Sequence, residues 1–371
     1  MRSLTRTAAA LAATALVLAA CGGSDEPAAS APTPAAPATP EPEPERLPAG
    51  ELLGAGASFP NPIFVDWIFE YTNEINPNAS INYQSIGSGG GIRQFLEQTT
   101  DFGASEAFLN ADQLQRARAD RGCDAIQFPI VFGSVTLVFN DESLDGLILD
   151  GNAIADIFER RITNYNHPDI QALNPGRDLP DLDIIPVHRS DGSGTTNVFT
   201  IYLDRDSTID EGKWTLGSGT EVQWPAGTIG GQGNEGVAAA VQQNRGAIGY
   251  VNQAYALIQG FPEAAIVNAS GNAVKATLEA TLEATDVAVI PDTFQFAILD
   301  IGGGGHPITG TAWVFVWECG YDDETAELLK HFWTWAITEG GPIAEELGYV
   351  GMGAELQPRV LAALERVNSQ N

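Results

Sequence analysis

The apolar positions of this chain alternate between the period of a strand and the period of a helix. Leu52 to Ala57 is a short apolar run ending in Gly54-Ala55-Gly56-Ala57-Ser58-Phe59-Pro60. Beyond it Ile63, Phe64, Trp67, Ile68 and Tyr71 recur at helical spacing, which predicts a strand, a Gly-rich turn and a helix. The pattern then repeats. Ser80 to Ile86 alternates as a second strand, and Gly87-Ser88-Gly89-Gly90-Gly91 leads into a helical stretch from Ile92 to Glu97. Asp101-Phe102-Gly103-Ala104-Ser105-Glu106 is a third short strand, with a helix expected from near Asn110 or Ala111. Three successive strand ends thus present Ser or Glu beside small residues. A parallel sheet sets such ends along one edge, where ligands bind.

A further segment carries chemistry of its own. In Pro186-Val187-His188-Arg189-Ser190-Asp191-Gly192-Ser193-Gly194-Thr195-Thr196, Arg189 offers a planar fork of donors that Asp191 can orient. Gly192 and Gly194 let backbone amides approach an anion, and Ser193 and Thr195 add hydroxyls. Val198, Phe199, Ile201, Tyr202 and Leu203 follow at helical spacing, so first-turn amides and the positive end of a helix dipole point at the same spot. The plain alternative is a turn capping an ordinary helix, with Arg189 in a surface ion pair. His188 precedes Arg189 on a strand and faces the other way, which suits packing rather than proton transfer.

Competing chemistries lack their motifs. There is no Gly-x-x-x-x-Gly-Lys-Ser/Thr loop, and neither Ser88 nor Ser193 sits in Gly-x-Ser-x-Gly. The four histidines, at 167, 188, 306 and 331, are scattered, so no metal site and no cofactor are expected.

The N-terminus concerns location. Arg2 and Arg6 precede an uncharged run from Thr7 to Ala20 that ends in Leu18-Ala19-Ala20-Cys21-Gly22, the pattern of an export signal (1–20) cleaved before a lipidated Cys21. From 21 to 50 the chain is Ala, Pro, Glu, Ser and Thr, with prolines at 32, 34, 37, 40, 42 and 44, an extended tether with no core. About 320 residues remain, enough for two lobes. There are 18 basic against 48 acidic residues, a formal charge of −30 that becomes −32 when Arg2 and Arg6 leave with the signal. This charge disfavours nucleic acid and anionic lipid surfaces as partners. An anion site in such a chain must rely on donors in a closed cleft, since surface charge is screened beyond about 8 Å at physiological salt. With Cys21 assigned to lipid, Cys123 and Cys319 remain as an even pair in an exported protein. They lie near the ends of two apolar runs, Ile126 to Asn140 and Ala312 to Glu318, that can pair antiparallel, so a disulfide is expected. Trp313, Trp317, Trp333 and Trp335 read as core.

The motifs together resemble a known family. Gly54-Ala55-Gly56-Ala57-Ser58-Phe59-Pro60-x-Pro62, Tyr83-Gln84-Ser85-Ile86-Gly87-Ser88-Gly89-Gly90-Gly91, Asp101-Phe102-Gly103-Ala104-Ser105 and Arg189-Ser190-Asp191-Gly192-Ser193-Gly194-Thr195 are similar, in order and spacing, to the PstS family of phosphate-binding proteins of ABC importers. Leu173-Asn174-Pro175-Gly176, Gly230-Gly231-Gln232-Gly233-Asn234-Glu235-Gly236 and Gly246-Ala247-Ile248-Gly249-Tyr250-Val251 extend the resemblance over nearly everything past the tether. It implies an α/β, bilobal type II periplasmic-binding-protein fold, with two α/β lobes joined by two crossover strands. One lobe comprises 52–140 plus 306–371 and the other 141–305. It implies a monomeric, non-enzymatic protein, held to a membrane through Cys21, that captures inorganic phosphate by lobe closure and delivers it to a permease.

Carried over by residue, Ser58 and Phe59 donate from the first helix start, Phe59 through its main chain, and Ser88 from the second Gly-rich turn. Arg189, Ser193, Gly194 and Thr195 grip the anion from the other lobe while Asp191 holds Arg189. Ser58 stands where many relatives have Thr. Glu106 stands where the family usually has an aspartate that accepts the phosphate proton and thereby rejects sulfate. The alternatives are a phosphate sensor or scaffold without transport, and a secreted hydrolase of a phosphate or acyl substrate.

Overall fold

A computed structural model describes residues 47–286 and 288–370. The signal, Cys21 and nearly all of the tether expected from the sequence lie outside the described residues. From residue 46 onward the chain is one compact unit.

The expected strand–helix alternation is present. Strand β1 (Gly50–Gly56) is followed by the helix Asn61–Glu70, whose Ile63, Phe64 and Trp67 are buried. Strand β2 (Ala79–Ser85) is followed by the helix Ser88–Leu96, and β3 (Phe102–Ser105) by the helix Ala111–Arg121. Asn110 closes a capping box with Gln113 at the start of that last helix. One boundary differs from expectation: the helix begins at Ser88, so three of the four glycines of the Gly-rich turn, Gly89, Gly90 and Gly91, are themselves helical. Glycine has low helix propensity, but here it permits close approach. A Cβ on Gly91 would collide with Gly56 and Ala55 of β1, and one on Gly90 would crowd Ile86. At Gly87, φ is +82°, and a Cβ there would run into the Asp191 carboxylate.

Strand β4 (Ala125–Phe139) is the longest and belongs to both lobes. The remaining strands are β5 (Ile148–Leu149), β6 (Ile185–Arg189), β7 (Ile229–Gly231), β8 (Ala247–Asn252), β9 (Ala265–Val267), β10 (Ala273–Val274) and β11 (Thr309–Trp317). The main sheet has the order β2-β1-β3-β11-β4-β8-β6-β7, and β10-β9-β5 form a small second sheet. From Ala125 to Ser134, β4 pairs antiparallel with β11; from Val135 to Phe139 it pairs antiparallel with β8. The chain thus passes from one half of the main sheet to the other within a single strand. The returning segment runs beside it: the Val135 amide donates to Ile308 O at 2.8 Å, and His306, fully buried, places Nε2 3.0 Å from Val135 O.

The β4–β11 register sets Ala125 opposite Trp317. This brings the residues just outside both strands together, and Cys123 and Cys319 are joined as a disulfide with Cα atoms 6.1 Å apart. Trp313, Trp317, Trp333 and Trp335 are all buried, as core rather than cleft residues.

Candidate functional site

Strands β1, β2 and β3 run parallel, so their carboxyl ends lie side by side. Ser58, Ser88 and Glu106 follow these ends directly. From the other lobe, Arg189 ends β6 and Ser193 is the N-cap of the helix Gly194–Arg205. The two groups meet. The Gly194 amide donates to Ser88 Oγ at 2.9 Å, and the Gly89 amide donates to Gly192 O at 2.9 Å. Ser58, Phe59, Ser88, Glu106, Arg189, Ser193, Gly194 and Thr195 are all buried.

Arg189 is held in one orientation. Its Nε and Nη2 donate to the two oxygens of Asp191 at 2.8 and 2.5 Å, a bidentate pair whose guanidinium is 1% exposed. Its Nη1 is left facing Thr195 Oγ1 at 3.4 Å. Asp191 also accepts from the Gly233 amide at 3.1 Å. The guanidinium therefore directs its free edge toward the helix start.

The hydroxyls are oriented by what they accept. Ser58 Oγ takes both the backbone and the side-chain N–H of Asn234, each at 2.9 Å. Ser193 Oγ accepts from the Thr196 amide at 3.0 Å. With its lone pairs engaged, the hydroxyl of Ser58 is left to donate. Around Phe59 the backbone is held by three tyrosines: Tyr83, Tyr255 and Tyr349 donate to the carbonyls of Ala57, Ser58 and Phe59 respectively. Burial pushes all three phenols up, so they remain donors.

Glu106 is the one carboxyl among these donors. It is 2% exposed, its Oε2 lies 3.5 Å from Ser88 Oγ, and its Oε1 has no hydrogen-bond partner among the described residues. Burial pushes this carboxyl up to about 8, against the opposing pull of the Arg189 charge and the Ser88 and Thr195 hydroxyls. His188, by contrast, points away. It stacks on Trp224 with ring centroids 4.9 Å apart, and burial holds its pKa down.

Ser88, Glu106, Arg189, Gly194 and Thr195 are thus linked in one cluster, with Ser58 joined to it through Asn234, and several partners in it are not legible from the sequence. Asn234 ties Ser58 to Thr195 Oγ1 (3.1 Å) and accepts from the Asn252 amide at 2.9 Å. Tyr250 Oη accepts from the Arg189 amide at 3.1 Å and lies 2.7 Å from Thr196 Oγ1. Both lie in segments that carry the family resemblance, Gly230 to Gly236 and Gly246 to Val251. The signal was present, yet nothing local says that these side chains turn toward Arg189.

Comparison with known proteins agrees with this architecture. The PBP superfamily domain matches residues 33–339. The phosphate-binding protein PstS of Pasteurella multocida is 38% identical over 319 residues, covering 85% of this chain and 90% of that one. That of Xylella fastidiosa (strain Temecula1) is 38% identical over 354 residues, covering 94% of each. Among solved structures, a high-affinity periplasmic phosphate-binding protein with phosphate bound superposes with a TM-score of 0.69 at 19% identity, covering 84% of this chain and 93% of that one. A phosphate-binding protein from Stenotrophomonas maltophilia gives a TM-score of 0.65 at 20% identity, covering 85% and 94%. The structural likenesses establish the fold, a bilobal periplasmic-binding-protein architecture, and the sequence matches establish the lineage: this chain belongs to the PstS family within the PBP superfamily.

Proposed function

We propose that this protein captures one inorganic phosphate ion between its lobes and delivers it to the membrane permease of an ABC importer. The observation that carries the reading is the convergence, in a water-excluded site, of donors from both lobes on a single place. Ser58, the Phe59 amide and Ser88 come from one side; Arg189, Ser193, Gly194 and Thr195 come from the other, at a helix start. Asp191 holds the guanidinium, and Glu106, in its ionised form, is the acceptor for a proton carried by the anion. Sulfate has no such proton, so its oxygens face that carboxyl unpaired.

Binding by closure follows from the two crossings, with 52–140 plus 306–371 as one lobe and 141–305 as the other. The protein acts as a monomer on the extracytoplasmic side, tethered through lipid on Cys21, and it is a binding protein rather than an enzyme. The family it belongs to is one of solute-binding proteins, which supports this reading.

Titration calorimetry with phosphate, sulfate and arsenate, together with a phosphoesterase assay, tests the proposal. Heat with micromolar phosphate, none with sulfate and no turnover are expected. Absence of phosphate binding by the wild-type protein, or binding unaffected by Arg189→Ala, overturns it.

A further inference from the structure

Glu106 reaches further than the aspartate usual in its family, and the structure shows where the extra length goes. Its Oε2 fills the space that a Cβ on Gly194 would need, over the first turn of the helix Gly194–Arg205. That is the spot toward which Ser88 Oγ and the free edge of Arg189 are directed. A carboxyl and a tetrahedral oxyanion cannot both occupy it.

The backbone of Glu106 is not free to withdraw. Ser105 is paired with Trp313 of β11, Ser105 Oγ accepts from the Ala107 amide at 2.8 Å, and Asn197 Nδ2 donates to Glu106 O at 3.3 Å. Any movement is therefore of the side chain. Beside it lies a small cavity of about 30 Å³, lined in part by Glu106, Asn197, Val198, Phe296, Thr311 and Trp313. This is room for about two water-sized groups. Two lining residues have a buried oxygen with no hydrogen-bond partner among the described residues, Glu106 Oε1 and Thr311 Oγ1. Such orphaned atoms are costly where they stand, and each is the complement of the other.

We propose that Glu106 is a two-position carboxyl. It yields the helix start to an incoming oxyanion by turning Oε1 into the cavity, where the Thr311 hydroxyl donates to it, while Oε2 stays at the edge of the clamp to accept the anion's proton, so Thr311 is a positioning residue for anion binding. This rests on the phosphate-binding reading above and adds to it a residue outside the cleft that sets affinity through Glu106.

The test is a double-mutant cycle read by phosphate titration, with wild type, Thr311→Val, Glu106→Asp and the double variant. Thr311→Val, nearly isosteric but without the hydroxyl, is expected to weaken phosphate binding about tenfold when Glu106 is present. Thr311→Ser, which keeps the hydroxyl, is expected to bind like wild type. In the Glu106→Asp background, whose shorter carboxyl stays clear of the cavity, Thr311→Val is expected to change affinity less than about twofold. Equal weakening in both backgrounds, or none in either, overturns the proposal while leaving phosphate binding intact. Failure of the wild type to bind phosphate overturns the functional reading instead. Should Thr311→Val not fold, Thr311→Ala in the same two backgrounds gives the same comparison.

Discussion

Ser88 of one lobe accepts a hydrogen bond from the Gly194 amide of the other at 2.9 Å, and Gly194 can make that approach only because it has no side chain. A Cβ there would collide with Glu106 Oε2, Glu106 N and Ser88 Oγ. Gly194→Ala is therefore expected to hold the lobes apart and weaken phosphate binding by about a hundredfold. Calorimetry measures the affinity, and circular dichroism checks that the variant folds.

Asp191 orients Arg189 without being needed as a ligand. Asp191→Ala removes both oxygens that hold the fork and also the acceptor of the Gly233 amide. A loss of about tenfold in affinity is expected, and Arg189→Lys should lose at least as much, because an ammonium cannot make the paired bonds with Asp191 and still reach the anion. Phosphate titration of both variants decides the matter. Unchanged affinity in Asp191→Ala would show that packing alone holds the guanidinium.

Glu106 makes stability depend on pH in an unusual direction. Its pKa in the folded protein, about 8, lies above the ordinary 4.5, so between these values the folded state binds more protons than the unfolded one. Its contribution to stability is then present below pH 4.5 and is lost as the pH rises toward 8. Denaturant titrations without added phosphate are expected to show this loss, and Glu106→Gln is expected to flatten it.

His306 works in the opposite sense. Burial holds its pKa down to about 4 from 6.5, against the opposing pull of the Val135 and Val274 carbonyls beside its ring nitrogens. The unfolded chain takes up the proton first as the pH falls. The stability supplied by the neutral imidazole is complete above 6.5 and is lost between 6.5 and 4, a change of about 3 kcal/mol. Urea midpoints of wild type and His306→Gln across this range measure it, and the variant's profile should be the flatter.

The disulfide between Cys123 and Cys319 closes a long loop, with 196 residues of sequence separation. Chain-entropy estimates put its stabilisation at about 5 kcal/mol at most, with native-state effects reducing this to about 2–4 kcal/mol. Replacing both cysteines by serine is expected to lower the melting temperature by several degrees while leaving phosphate affinity nearly unchanged, because the pair lies at the ends of β4 and β11 away from the clamp.

Much of this protein is legible in its sequence because the information is local. The alternation of period 2 and period 3.6 places β1 to β3 and their helices, and the Gly-rich strand ends mark the binding edge, because backbone geometry follows from a few neighbouring residues. The Arg189 to Thr195 segment shows its chemistry in the same way, since Asp191 is only two residues from the group it orients.

What the sequence by itself determined is the set of elements, the family and the donors on offer. Only the tertiary structure decided how they meet. Asn234 reaches Ser58 across 176 residues of chain and Thr195 across 39, and Tyr349 reaches the Phe59 carbonyl across 290. Likewise, the cavity beside Glu106 is walled by residues as distant as Asn197 and Thr311. Such contacts depend on how β4 carries the chain between lobes and on which sheet edge each helix packs against. No local pattern encodes these, since packing is a property of the assembled core rather than of any one segment.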